Sequence, residues 1–136
     1  MDFPIKGISD LEKLSHAVKW QYFEKLVAFI FEQNEFRVQV GKVIKIEGGK
    51  RQFDAIADKY DMIFAIECKK WAHRQRVPAL KRAVGRHLER CSYLQSTKMI
   101  KPVLIVLYDD DINMVEDVPV VPIMKLNWFL NNYDTL

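Results

Sequence analysis

Asp54, Glu67 and Lys69 are placed where two carboxylates and an ammonium can do chemistry together. Asp54 stands near the start of the apolar run 53–57, while Glu67 and Lys69 close the apolar run that begins at Met62, with only Asp58, Lys59, Tyr60 and Asp61 between. A link that short closes a hairpin, so the two runs read as antiparallel strands. Counting outward from the turn brings Asp54 level with Glu67, and alternation of side chains puts Ile63, Ala65, Glu67 and Lys69 on one face. Carboxylates held side by side repel unless a cation or a shared proton intervenes, and burying them unpaired is costly. A divalent cation resolves that conflict, because Asp and Glu oxygens are the hard ligands that Mg²⁺ takes together with waters and phosphate oxygens. An ion pair of Glu67 with Lys69 or Lys70 at a solvated strand end resolves it as well. On these residues alone both readings stand.

The elements that must position this group follow from pattern. Residues 62–66 (Met, Ile, Phe, Ala, Ile) form a run too short for a membrane span and too continuously apolar for a strand with one wet face, which predicts a central strand covered on both sides. Upstream, Ser9 and Glu12 fit a capping box, and a helix, broken near His16, runs to about Gln33. Trp20, Phe23, Val27, Ile30 and Phe31 recur at helical spacing to face the core, Asn34 supplies a left-handed stop, and Glu24 lies beside Phe23 at the edge of the apolar stripe. Residues 36–46 read as a strand kinked at Gly41, and Glu47, Gly48, Gly49 and Lys50 turn the chain into the Asp54 strand. Lys50 and Arg51 flank that turn, within reach of either phosphate or water.

Downstream, residues 79–95 form an amphipathic helix with Leu80, Val84, Leu88, Cys91 and Leu94 inward, leading by a right-handed parallel crossover to a strand at 103–107. Asp109, Asp110 and Asp111 end that strand as a rival metal cluster or a solvated loop. Residues 118–123 read as an edge strand limited by Pro119 and Pro122. A short terminal helix from Leu126 carries Trp128, Phe129 and Leu130, which need cover from the core or from a second subunit.

Phe53–Asp54 followed by Glu67–Cys68–Lys69, with Glu24 on the first helix, resembles the PD-(D/E)XK nuclease superfamily over roughly residues 20–107. The layout is nearest to archaeal Holliday-junction resolvases and restriction-enzyme-like domains; Phe53 stands where the motif's proline would be. The resemblance implies a three-layer α/β restriction endonuclease-like fold with a central mixed sheet flanked by helices. It further implies a DNA phosphodiesterase using Mg²⁺, with Mn²⁺ as a substitute. Asp54, Glu67 and the backbone carbonyl of Cys68 would hold the metal, Lys69 would orient or help deprotonate the attacking water, and Glu24 would be an accessory acid. Glu89 and Tyr93, one helical turn apart, resemble a Gln-x-x-x-Tyr motif found beside some of these sites, and a homodimer is expected by the same likeness. The alternatives are an inactive DNA-binding or assembly subunit of the same fold and a metabolite-binding α/β domain.

Charge adds an independent argument. The 136 residues carry a net charge of +3, yet between Lys69 and Arg90 eight basic residues face one acid, leaving thirteen basic and seventeen acidic elsewhere. A basic stripe that begins at the acidic cluster suits a phosphate-backbone binder, and Lys70, Arg74, Arg76, Arg82, Arg86 and Arg90 are its candidates. Trp71 either stacks on a base or covers the core, and His73 is a loop residue or a general acid. Residues 1–136 read as a single domain with an ordinary core. The absence of a signal-like start or an 18-residue apolar run leads us to expect a soluble, cytoplasmic protein. Cys68 and Cys91 form no CxxC and, with only three histidines, the chain has no zinc pattern; both read as reduced core residues.

Overall fold

A computed structural model describes residues 20–71, 75–109 and 111–133. The expected cap at Ser9 and Glu12, the helix break near His16, the Trp20 side chain, His73, Arg74 and Asp110 lie outside the described residues. The elements are α1 (Trp20–Gln33), β1 (Arg37–Ile46), β2 (Gly49–Lys59), β3 (Met62–Lys69), α2 (Val77–Cys91), β4 (Met99–Val106), β5 (Met114–Val115), β6 (Val118–Pro122) and α3 (Leu126–Asn132). The strands make a six-stranded mixed sheet in the order β1-β2-β3-β4-β6-β5. Pairing is antiparallel from β1 to β3, parallel from β3 through β4 to β6, and antiparallel again at β5.

The sheet is apolar on both faces, which is why it has helices on both. Phe64, Ile66 and Cys68 of β3 pack with Phe23, Val27 and Phe31 of α1 and with Leu126, Phe129 and Leu130 of α3. Leu80, Ala83 and Val84 of α2 cover Leu104 and Val106 from the other side, while Cys91 joins Phe53, Ile56 and Ala65. The result is the expected α/β architecture: three layers, with β3 central and covered on both sides. Among the described residues no helix is long and apolar enough to cross a membrane.

Several local expectations shift. The left-handed residue after α1 is Glu35 (φ 70°) rather than Asn34, whose side-chain amide instead donates to the Ile30 carbonyl at 2.9 Å. The amide thereby satisfies one of the carbonyls that a helix end leaves free. Helix α2 begins at Val77, with Pro78 in its first turn, where a missing N–H costs nothing. Leu88 is 36% exposed, and His87, fully buried, takes the inward position instead. Strand β6 is not an edge, because two-residue β5 pairs on its outer side through Met114↔Pro119 and Val115↔Val118.

Phe64 is the ring on which the first face closes, 5.7 Å from both Phe31 and Phe36, 5.9 Å from Phe129 and 5.3 Å from Tyr133, centroid to centroid. Phe64→Ala is expected to lower unfolding free energy in urea by about 3–5 kcal/mol. A loss under about 1 kcal/mol would show that α1 and α3 are not seated on this ring.

Candidate active site

The hairpin register runs from Lys59↔Met62 to Ala55↔Ile66, so one step further Asp54 and Glu67 are level, as the spacing requires. The Cys68 backbone N–H donates to Asp54 Oδ2 at 2.7 Å, which ties the two strand ends together. On the other side of Asp54, β1 turns at Gly41, with φ +66°, a conformation that glycine adopts without strain. Face alternation slips at this point. Phe53 and Ile56 both pack on the α2 side, while Ala55 packs on the α1 side. Asp54 thus lies at a kink within reach of residues from both helical layers.

Three carboxyl groups meet there. Glu24, from α1, is hydrogen bonded to Asp54, and Glu67 acts electrostatically on both. Burial pushes Asp54 up to about 7, helped by the negative charges of Glu67 and Glu24 and opposed by the Cys68 N–H. Glu24 is raised as well, again chiefly by burial. Below neutral pH a protonated Asp54 donates to Glu24, so one proton serves two acids.

Glu67 is compensated differently. Its side chain is only 10% exposed, Oε1 lies 3.5 Å from Lys69 Nζ, and Oε2 forms an ion pair with Arg90 of α2. His87 stands behind that pair. Its Nε2 is 2.8 Å from the Ala65 carbonyl, an acceptor only, so this nitrogen carries the proton. Burial pulls the His87 pKa down and keeps the ring neutral. Nδ1 is then free to accept from Arg90 Nη1 at 3.3 Å. A chain of hydrogen bonds from the β3 backbone through His87 and Arg90 thereby holds Glu67.

Asp54, Glu67, Lys69 and Glu24 are therefore brought together. Arg76, Arg82 and Arg86 lie exposed along α2, with Arg86 Nε 3.4 Å from the Arg82 carbonyl. Arg90, at the end of the same stripe, faces Glu67 rather than solvent, and Lys70 is half-buried and already engaged. Glu89 and Tyr93 turn away from the carboxylates towards Arg51, which reaches Glu89 at 2.8 Å and lies 5.3 Å from the Tyr93 ring. Trp71 packs against the α2-side core. Of the rival acids, Asp109 pairs with Lys125 at 2.6 Å and accepts the Asp111 N–H at 2.9 Å. Burial raises both thiols, Cys91 to about 12, so neither cysteine is a nucleophile. His87 and the turned-in Arg90 are what sequence reasoning missed. The spacing Leu80, Val84, His87, Cys91 was the available signal, obscured by the more hydrophobic Leu88 beside it.

The donor chemistry fits a hard divalent cation, since Mg²⁺ takes one or two carboxylates and completes its shell with water and phosphate oxygens. Asp54 and Glu67 carry such oxygens at the strand end, and Glu24 is hydrogen bonded to Asp54 beside them. Among the described residues no three His, Cys, Asp or Glu side chains stand close enough to hold a metal as they are oriented.

A mixed sheet between helices, with an Asp, a Glu-x-Lys and a helical Glu at one strand end, defines a restriction endonuclease-like domain. A restriction endonuclease family model, Mrr_cat, matches residues 15–94, and the chain belongs to that family. It is 31% identical over 118 residues to an uncharacterized protein of Archaeoglobus fulgidus, across 85% of this chain and 92% of the relative. The small subunit of the heterodimeric restriction endonuclease R.BspD6I shares the fold at TM-score 0.53 and 17% identity, over 85% of this chain and 69% of that one. The protein of unknown function AF1548 (TM-score 0.54, 13% identity, 65% of this chain) and protein VC1899 from Vibrio cholerae (0.56, 13%, 84%) share it too. The chain spans 47% of the former and 33% of the latter.

Two outcomes follow from this geometry. The folded protein holds the Asp54 proton up to about pH 7, whereas the unfolded chain releases it near the ordinary 3.8. The Asp54 contribution is therefore lost as pH rises between those values. In EDTA, Asp54→Asn should melt a few degrees above the parent at pH 8 and level with it at pH 4. The difference between the two proteins cancels His87, whose lowered pKa acts the other way below about 6.5. Equal melting temperatures at both pH values would remove the carboxyl pair as the cause. Arg90→Ala leaves Glu67 with Lys69 alone and should cost about 2–4 kcal/mol in chemical unfolding, with Arg90→Lys recovering part of it.

Proposed function

We propose that this protein is a divalent-metal-dependent DNA endonuclease, with Mg²⁺ as the metal and Mn²⁺ as a substitute. The observation that carries the proposal is the convergence of Asp54, Glu67 and Glu24 at a strand end that also bears Lys69. Family membership and the exposed arginines of α2 support it from two further directions. Asp54 and Glu67 would hold the metal, with the Cys68 carbonyl as a further ligand and Glu24 as an accessory acid. When bound, such an ion polarises a phosphoryl oxygen and makes a water more acidic.

The chain's own groups do the rest. The Asp54 hydrogen bond from Cys68 fixes the carboxylate against the strand end. Lys69, 3.5 Å from Glu67, orients the attacking water and offsets the charge that grows on the phosphate as the P–O bond to the leaving strand breaks. Arg76, Arg82 and Arg86 neutralise flanking phosphates, an affinity that is independent of sequence and falls with salt. Association with a second polypeptide, a further copy or another subunit, belongs to the same reading, since Trp128 is left 59% exposed beside a groove of about 660 Å³.

The pairing of Glu67 with Arg90 favours a second reading, a DNA-binding subunit without turnover. One experiment separates the two. Branched, flapped, single-stranded and duplex DNAs are incubated with protein and Mg²⁺ or Mn²⁺, and binding is measured in Ca²⁺. Cleavage by the parent, with losses of at least about 100-fold in Glu67→Ala and Lys69→Ala and binding within a few-fold, is the expected result. Salt-dependent binding with no cleavage of any substrate would establish the second reading. Metal-dependent cleavage surviving in both pure variants would reject the assigned residues.

A further inference from the structure

The Arg90 guanidinium is only partly used by the chain. Its Nη1 meets both Glu67 Oε2 and His87 Nδ1, the latter at 3.3 Å. A guanidinium also carries donors on Nε and Nη2. Among the described residues nothing accepts from these two nitrogens, and neither is sealed from water. The side chain, 20% exposed, turns one edge to Glu67 and leaves the other open beside the carboxylates.

That orientation is fixed from inside the fold. His87 has no exposed surface, donates from Nε2 to the Ala65 carbonyl at 2.8 Å, and stands edge-on to Phe53 with ring centroids 6.2 Å apart. Burying an imidazole is costly unless its nitrogens are partnered, and an ion pair between Glu67 and Arg90 needs no such ring. Nor does the charge of Glu67 alone call for Arg90, because Lys69 already stands 3.5 Å from Oε1. Two cations on one carboxylate leave positive charge over at this end of the cluster. Arg90 is also the inner end of a series. Arg82, Arg86 and Arg90 recur every four residues along α2, about 6 Å apart on its axis, and the outer two are exposed.

We infer that Arg90 is a catalytic residue, held by Glu67 and His87 so that Nε and Nη2 donate to the non-bridging oxygens of the scissile phosphate. In the hydrolysis a water oxygen bonds to phosphorus and gives up its proton. The P–O bond to the leaving strand breaks, and the leaving oxygen takes a proton from solvent. Negative charge builds on the non-bridging oxygens meanwhile, where a guanidinium edge already oriented matches two acceptors without reorganising. A lysine in the same place keeps the charge and loses the fork. This inference rests on the proposed nuclease reading and adds to Lys69 a second cation on the reacting phosphate.

Two measurements test it. In the full chain made with isotopically labelled arginine, the Arg90 Nε–H resonance, assigned by its loss in Arg90→Lys, is followed as duplex DNA is added in Ca²⁺ until anisotropy shows saturation. It should shift and exchange with water more slowly; an unmoved resonance in the saturated complex overturns the contact. Arg90→Lys should cut at least about 100-fold more slowly in single turnovers, with DNA binding in Ca²⁺ and Mn²⁺ affinity by calorimetry within a few-fold of the parent. Cleavage within about threefold of the parent returns Arg90 to an ion-pair role, and Mn²⁺ affinity that falls in step with the rate shows it acting through Glu67; either overturns the inference. An active parent with an indifferent Arg90→Lys sinks this role alone, whereas a parent that binds DNA and cuts nothing in Mg²⁺ or Mn²⁺ sinks the nuclease reading and this role with it.

Discussion

Electrostatic crowding at the end of the β2–β3 hairpin is the constraint to which the rest of the molecule answers. Glu24, Asp54 and Glu67 stand close enough that burial and mutual repulsion raise Asp54 to about 7. Charges taken from water must be balanced locally. Here the balance has two parts: a proton between Asp54 and Glu24, and two cations, Lys69 and Arg90, on Glu67. Each part draws on a different layer of the fold. Helix α1 brings Glu24 through its packing of Phe23 and Val27, and α2 brings Arg90 through the burial of His87 and Cys91. A divalent ion would gain most at a place where carboxylates are this poorly compensated.

The two helical layers are not equivalent in what they do to the site. On the α1 side, the core is deep and aromatic and fixes Asp54 and Glu24 by packing. On the α2 side the contacts are polar: Ala65 carbonyl to His87, His87 to Arg90, Arg90 to Glu67. Such a network specifies orientation more than it adds stability, since each member is held by the next. It sets Glu67 apart from the other two acids, because both of its oxygens already face cations. The cationic stripe of α2 ends there, with Arg82 and Arg86 outside and Arg90 turned in.

Much of this was legible before any coordinates. The hairpin, its register, the pairing level of Asp54 and Glu67, the buried β3, the parallel crossover to β4 and the kink at Gly41 follow from short-range rules about apolar runs, turn lengths and alternation. What was misread shares a cause. Leu88 and His87 are neighbours on a helix, and hydrophobicity alone favours Leu88 for the core, yet the Ala65 carbonyl and Arg90 give His87 partners that an apolar side chain would not need. β6 looked like an edge because Pro119 and Pro122 lack N–H donors, but β5 needs only two residues to pair beside it. Glu89 and Tyr93 looked like a site motif, and Arg51, thirty-eight residues earlier in the chain, captured the glutamate.

By itself the amino-acid sequence determined the strand pattern, the identity of the charged groups at the strand end and their level across the hairpin, because these depend on residues near one another along the chain. Tertiary structure alone decided which cation from a distant segment meets which carboxylate. Arg90 reaches Glu67 and Arg51 reaches Glu89 only once α2 has crossed the sheet. Ion pairs between distant segments depend on helix rotation and strand projection, and a few ångströms there decide whether a guanidinium faces a carboxylate or solvent.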